Sequence, residues 1–154
     1  MVTVTLTGTE YNFCYIVAAT RNSINRSCGV KDAKKGGQSA IETDVVGVVG
    51  EFAFCKLTNT FPDLSVEPRS GSCDCKFKGY LIDVKSTTLR SGRLLATTKE
   101  NPDVDRYVLA IVDGCSVSFP GWVSKDDFIN PKNVVDLGHG ATYALDQSQL
   151  NAWS

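Results

Sequence analysis

Asp74 and Asp83 stand on a stretch that reads as a β-hairpin, Cys73-Asp74-Cys75-Lys76-Phe77-Lys78-Gly79-Tyr80-Leu81-Ile82-Asp83-Val84-Lys85. Carboxylates gathered beside a lysine can hold a divalent cation and support phosphodiester cleavage. If Lys78-Gly79 forms a two-residue turn, Phe77 pairs with Tyr80 and Cys75 with Ile82, which sets Asp74 directly opposite Asp83. Alternation along each strand then puts Asp74, Lys76, Asp83 and Lys85 on one face. Cys73, Cys75, Phe77, Tyr80, Ile82 and Val84 fall on the other, apolar face. Like charges directly across a ladder repel, so a cation, a shared proton or Lys85 must offset the pair.

An acid, any residue, then lysine is a weak motif. A chain with 17 acids and 10 lysines supplies it by chance, and three copies occur: Asp32-Ala33-Lys34, Asp74-Cys75-Lys76 and Asp83-Val84-Lys85. Only the third follows a strand whose aspartate pairs with it. Glu51 adds a third carboxylate, within Gly47-Val48-Val49-Gly50-Glu51-Phe52-Ala53-Phe54-Cys55. Its helical neighbours are glycine or apolar, so it must reach solvent, find a distant Lys or Arg, or meet a cation, because an unpaired buried charge is costly. Gly47 and Gly50 allow another element to approach closely.

The elements that must position these groups follow from local chemistry. Thr7-Gly8-Thr9-Glu10 has the form of a capping box, and the apolar spacing after it predicts a helix to about Arg26, ended by Gly29. Ser39-Ala40-Ile41-Glu42 repeats the box, and Ile41, Val45, Val48, Val49, Phe52 and Cys55 make one stripe of a second helix ending near Thr58. Residues 29 to 38, rich in glycine and lysine, read as an exposed loop. After the hairpin, Leu94 to Thr98 reads as a short strand. Arg106 to Val112 is nearly continuously apolar and therefore central in its sheet. Ser116 to Val123 is its hairpin partner across Asp113-Gly114, with Pro120 marking an edge or a bulge. Ser124 opens a short helix, and Asp146 caps a turn through Leu150. No helix is evident between Lys85 and Arg106.

At 154 residues and 42% hydrophobic content, the chain suits one domain, 1–154, with its core at about 39–123. Met1 to Leu6 alternates apolar residues with threonine and lacks a basic leader, and no apolar run is long enough to span a bilayer. The expectation is a soluble, cytoplasmic protein with no membrane partner. Six cysteines lie mostly within periodic apolar segments, which favours buried free thiols over a disulfide framework. The formal net charge of −1 excludes a uniformly basic coat. Two stretches are locally basic: Arg21, Arg26, Lys31, Lys34 and Lys35, and Lys85, Arg90, Arg93 and Lys99. Phosphate contacts need only such patches, and Lys34, Lys35, Arg90 and Arg93 are the candidates. His139 lies between two glycines with no companion for a zinc site, Cys73 and Cys75 suit packing better than metal or redox chemistry, and Trp122 and Trp153 suit the core.

A helix with Glu51, a strand with Asp74 and a strand with Asp83-Val84-Lys85, in that order, resembles the PD-(D/E)XK nuclease superfamily of restriction enzymes, phage exonucleases and Holliday-junction resolvases, over about residues 39 to 113. Cys73 stands where the family's proline would. The resemblance implies an α/β (α+β) fold with a restriction-endonuclease-like central mixed β-sheet flanked by helices. It further implies a Mg²⁺ or Mn²⁺ ion held by Asp74, Asp83, the main-chain carbonyl of Val84 and Glu51, with Lys85 orienting the attacking water. DNA would be the substrate, and a homodimer is an open expectation because cutting two strands often recruits a second subunit. The competing reading is a non-catalytic nucleic-acid- or protein-binding module with a degenerate nuclease-like fold.

Overall fold

The computed structural model describes residues 1–29, 39–66, 73–98 and 103–153, among which the fold is mixed α+β. Strand β1 (Val2–Thr5) leads into helix α1 (Gly8–Ser27) and helix α2 (Ala40–Thr58). Strands β2 (Cys75–Phe77), β3 (Tyr80–Thr87), β4 (Leu94–Thr97), β5 (Arg106–Asp113) and β6 (Ser116–Ser124) follow. Helix α3 (Lys125–Phe128) and strands β7 (Val134–Asp136) and β8 (Ala141–Leu145) complete the order.

Both capping boxes form. Thr7 and Glu10 exchange backbone bonds at the start of α1, and Ser39 and Glu42 do so at α2. Gly29 follows α1 with φ of 74°, and Asn59 closes α2 in the left-handed region at φ of 53°. These local signals satisfy helix-end donors and carbonyls that would otherwise be orphaned.

The main sheet runs β1-β6-β5-β3-β2, so β5 is its middle strand, as its apolar run predicts. Pairing is antiparallel except between β3 and β5, which are parallel. A parallel pair needs a crossover connection, usually helical. Here no helix occupies it among the described residues; β4 does, joining β8 and β7 in a second, three-stranded antiparallel sheet. Pro120 lies where β5 and β6 slip register between Leu109 and Ile111, past the last β1 pairing at Phe119, so its missing N–H breaks no ladder. The β5–β6 turn is Gly114-Cys115, one residue beyond the expected Asp113-Gly114.

Two cores sit on opposite faces of the sheet. Val108, Ala110 and Val112 of β5 and Ile82 and Val84 of β3 pack under α1 and α2 with Phe54, Phe119 and Val49. Tyr107, Leu109 and Ile111 pack on the other side against Leu94, Ala96, Phe128 and Leu145. Helices therefore cover one face, and the small sheet with α3 covers the other. Phe54 is fully buried and meets Phe77 and Phe119 edge-on, with centroids 6.3 and 5.7 Å apart. Burying such a ring contributes about 1.5–3 kcal/mol. Trp153 joins this core and donates from Nε1 to the Phe119 carbonyl at 3.0 Å. No described helix is long and apolar enough to cross a membrane.

Candidate functional site

The hairpin turn is Lys78-Gly79, with positive φ at both residues, 50° and 84°, as a two-residue primed turn requires. Phe77 pairs with Tyr80 and Cys75 with Ile82, which is the expected register. The ladder then ends. Asp74 N–H donates to the Ile82 carbonyl at 2.8 Å, so two consecutive residues of one strand face a single residue of the other, the signature of a β-bulge.

That bulge corrects the simple outward count. Asp74 is not directly opposite Asp83; its Oδ2 accepts the Val84 N–H at 2.7 Å, which turns the carboxylate toward the edge of β3 vacated by β2. The N–H and C=O of one strand residue point to the same side, so the Val84 carbonyl is directed to that edge as well. Cys73 and Cys75 also part company, because an extra residue breaks alternation: Cys75 packs in the helix-side core and Cys73 against the opposite one.

Asp83 pairs in register with Tyr107, on the face away from α2, and Lys85 follows two residues later on that face. Lys85 Nζ lies 2.8 Å from Asp83 Oδ1, with the Asp83 side chain 13% exposed. On the opposite face, α2 lies tightly on the sheet at Gly50, where an added methyl would land on Ser86 Oγ and meet Ala110. Gly47 has no such contact. Helix α2 also meets the hairpin in the core, where Cys55 and Cys75 are both buried. These contacts seat α2, and with it the backbone of Glu51, on the helix-side face of β3 and β5.

Asp74 feels both of the other carboxylates. Burial, then the charge of Glu51, then that of Asp83 push the Asp74 carboxyl well above the usual carboxylate range, against the opposing pull of the Val84 N–H and Lys85. Asp74 thus bridges Glu51 on the helix side and Asp83 on the far side. Each carboxylate also has a protein partner. Glu51 finds the distant basic group that its apolar surroundings demand: Arg21 Nη1 is 3.3 Å from Glu51 Oε2. Arg21 also donates to the Asp63 and Ser65 carbonyls at 2.6 and 2.8 Å, so it locks the segment after α2 onto α1 rather than facing a ligand. With the carboxylates drawn toward Arg21, Val84 and Lys85, no three His, Cys, Asp or Glu side chains among the described residues stand close enough to hold one metal ion.

The expected substrate contacts fare differently. Lys34 and Lys35 lie outside the described residues. Arg90 and Arg93 are exposed and sit 3.6 and 2.7 Å from Asp113 and Asp146. His139 is exposed between Gly138 and Gly140, and all six cysteines are free. One cation that the sequence did not single out is Arg106, stacked between Tyr80 and Trp122. Its signal was its place at the start of the central strand, one register step from Tyr80.

No protein-family model, curated protein or solved structure matches this chain.

Proposed function

We propose that this protein is a Mg²⁺- or Mn²⁺-dependent nuclease that hydrolyses DNA phosphodiester bonds, a reading of the PD-(D/E)XK type. One observation carries it: at the open edge of β3 the Asp74 carboxylate accepts the Val84 N–H at 2.7 Å and the adjacent residue, Asp83, holds Lys85 at 2.8 Å, with the charges of Glu51 and Asp83 both acting on Asp74. The donors fit such an ion in kind, since hard carboxylate and carbonyl oxygens suit Mg²⁺. Glu51, Asp74, Asp83 and the Val84 carbonyl would hold it once Arg21 and Lys85 yield. A cation there would also offset the burial and the carboxylate charges that raise the Asp74 carboxyl. When bound, such an ion activates water and neutralises phosphate charge.

The chain's own groups have distinct tasks. Lys85, released from Asp83, would remain on the same face, where it can orient a water and donate to a phosphate oxygen. The Asp74 carboxylate, fixed by the Val84 N–H, keeps its second oxygen free for the edge. Glu51 is carried toward the sheet by the close seat of Gly50 on Ser86.

The test is thermal melting during Mg²⁺ and Mn²⁺ titration, followed by plasmid cleavage with and without chelator. Occupancy at a hundred times Kd should stabilise the fold by about 2.7 kcal/mol. Lys85→Ala should fold normally and lose about 10²–10³-fold in cleavage rate; full activity in that variant would end the proposal. The two internal ion pairs, Arg21–Glu51 and Lys85–Asp83, favour a second reading, a non-catalytic binding module whose carboxylates are neutralised by its own cations. Nucleic-acid binding without any divalent-ion shift in melting would select it.

A further inference from the structure

Two cations rest on aromatic rings where the hairpin tip meets the end of the main sheet. Lys78 Nζ lies 5.3 Å from the Phe77 centroid. The Arg106 guanidinium is sandwiched, 3.5 Å from the Tyr80 centroid and 4.2 Å from that of Trp122. Phe77 and Tyr80 are cross-strand partners, and Arg106 pairs in register with Ile82, so both cation–ring pairs lie side by side on one end of one face.

Among the described residues, neither Arg106 nor Lys78 makes a side-chain hydrogen bond or ion pair. The adjacent acid is spoken for: Asp105 Oδ2 accepts the Leu81 N–H at 2.8 Å. The buried side-chain polar atoms without a partner are Asn25 Oδ1 and Ser86 Oγ, so the unbonded Arg106 nitrogens reach solvent. A guanidinium whose carbon lies 3.5 and 4.2 Å from two ring centroids still has its planar N–H fork to offer a ligand. Its side-chain freedom is already spent on the stack, which favours binding of a planar, bidentate oxyanion such as a phosphate.

We propose that Arg106, stacked between Tyr80 and Trp122, together with Lys78 forms a phosphate clamp that grips the nucleic-acid backbone beside the Glu51–Asp74–Asp83 site. This deepens the nuclease reading and rests on it for the choice of a backbone phosphodiester over a lone anion. Strand order gives the placement: β5, β3 and β2 are consecutive, so the Arg106 backbone lies two strand spacings, about 10 Å, from that of Asp74, on the face of Ile82 rather than that of Asp83 and Lys85. The clamp therefore takes a phosphate on the flank of the site, where a backbone crosses the hairpin edge, and not the one to be cut. Two adjacent cations without acid partners suit a run of phosphates better than a single carboxylate.

Binding of labelled single-stranded and duplex oligonucleotides to the full chain, followed by anisotropy in chelator across a salt series, tests this without cleavage. Arg106→Gln should weaken binding about tenfold, and its slope of log affinity against log salt should become shallower by about 0.7–0.9, the loss of one phosphate contact. Arg106→Lys should keep the slope and lose affinity, because charge survives and the planar fork does not. Lys78→Asn, at a left-handed position that asparagine tolerates, should flatten the slope similarly and decides the matter if Arg106→Gln fails to fold. Unchanged slopes in folded Arg106→Gln or, failing that, in Lys78→Asn would overturn the clamp, as would wild-type protein that binds no oligonucleotide. Inorganic phosphate or a polyglutamate peptide displacing the oligonucleotide at equal concentration of anionic groups would overturn it too. Loss of cleavage in Lys85→Ala with an intact salt slope leaves the clamp standing; an unchanged salt slope in Arg106→Gln beside active cleavage removes the clamp and leaves the nuclease.

Discussion

Gly50→Ala is the sharpest probe of how α2 delivers Glu51 to the hairpin. A Cβ at this position would overlap Ser86 Oγ and approach both Ser86 Cβ and Ala110 Cβ to 3.2 Å. Overpacking of this kind costs about 1–3 kcal/mol, while alanine recovers about 1 kcal/mol of helix propensity over glycine. The net loss is therefore up to about 2 kcal/mol, or roughly 4–8 °C in melting temperature for a domain of this size. Ser86 Oγ is itself buried without a hydrogen bond, so Ser86→Ala should be neutral or stabilising by about 1 kcal/mol. In the Ser86→Ala background the obstructing oxygen is gone, and Gly50→Ala should cost clearly less; urea unfolding of the four proteins gives the coupling. Because Glu51 is the next residue, Gly50→Ala should also weaken divalent-ion stabilisation, and Ser86→Ala should restore part of it. Equal costs of Gly50→Ala in both backgrounds would refute the tight seat as the device that positions Glu51.

Asp74 carries a pH signature. Its folded carboxyl is raised above the ordinary aspartate value of about 3.9, so the folded state holds the extra proton. Stability without divalent ions should fall as pH climbs through the window above that value and then level off. Asp74→Asn keeps an oxygen for the Val84 N–H and should remove this decline, leaving the variant more stable than wild type at neutral pH in chelator; parallel urea-derived profiles for the two proteins would contradict it. A second expectation concerns Arg90 and Arg93, which are exposed and already near Asp113 and Asp146. The double variant Arg90→Gln/Arg93→Gln should cost less than about 1 kcal/mol of stability and leave the oligonucleotide salt slope unchanged, measured beside Arg106→Gln.

What was legible in the chain was what short-range chemistry dictates. The capped helices, the Lys78-Gly79 turn, the central position of Arg106 to Val112 and the bulge at Pro120 each rest on a few adjacent residues and stand in the fold. Pairings between distant segments were not legible. Arg21 meets Glu51 across 30 residues, and nothing near either position announces it. Strands β7 and β8 are short and partly exposed, with too few residues for a period to emerge. The helix that a parallel β3–β5 connection usually contains is replaced by β4, whose partner β8 lies almost fifty residues downstream.

The site itself turns on one irregularity that no count of alternation reveals. A regular ladder through Asp74 would set two carboxylates face to face, an arrangement that like-charge repulsion disfavours. The bulge at Asp74-Cys75 relieves this by rotating Asp74 to the sheet edge, where the Val84 N–H, which would otherwise lack a strand partner, supplies a hydrogen bond. The same rotation brings Asp74 into the field of Glu51, which becomes its strongest charged neighbour ahead of Asp83. A structural aspartate serving only to cap that N–H would gain nothing from two nearby carboxylates and would be destabilised by both. In the folded chain that cost is opposed by the Val84 N–H and by Lys85, which both pull the Asp74 carboxyl back toward its charged form.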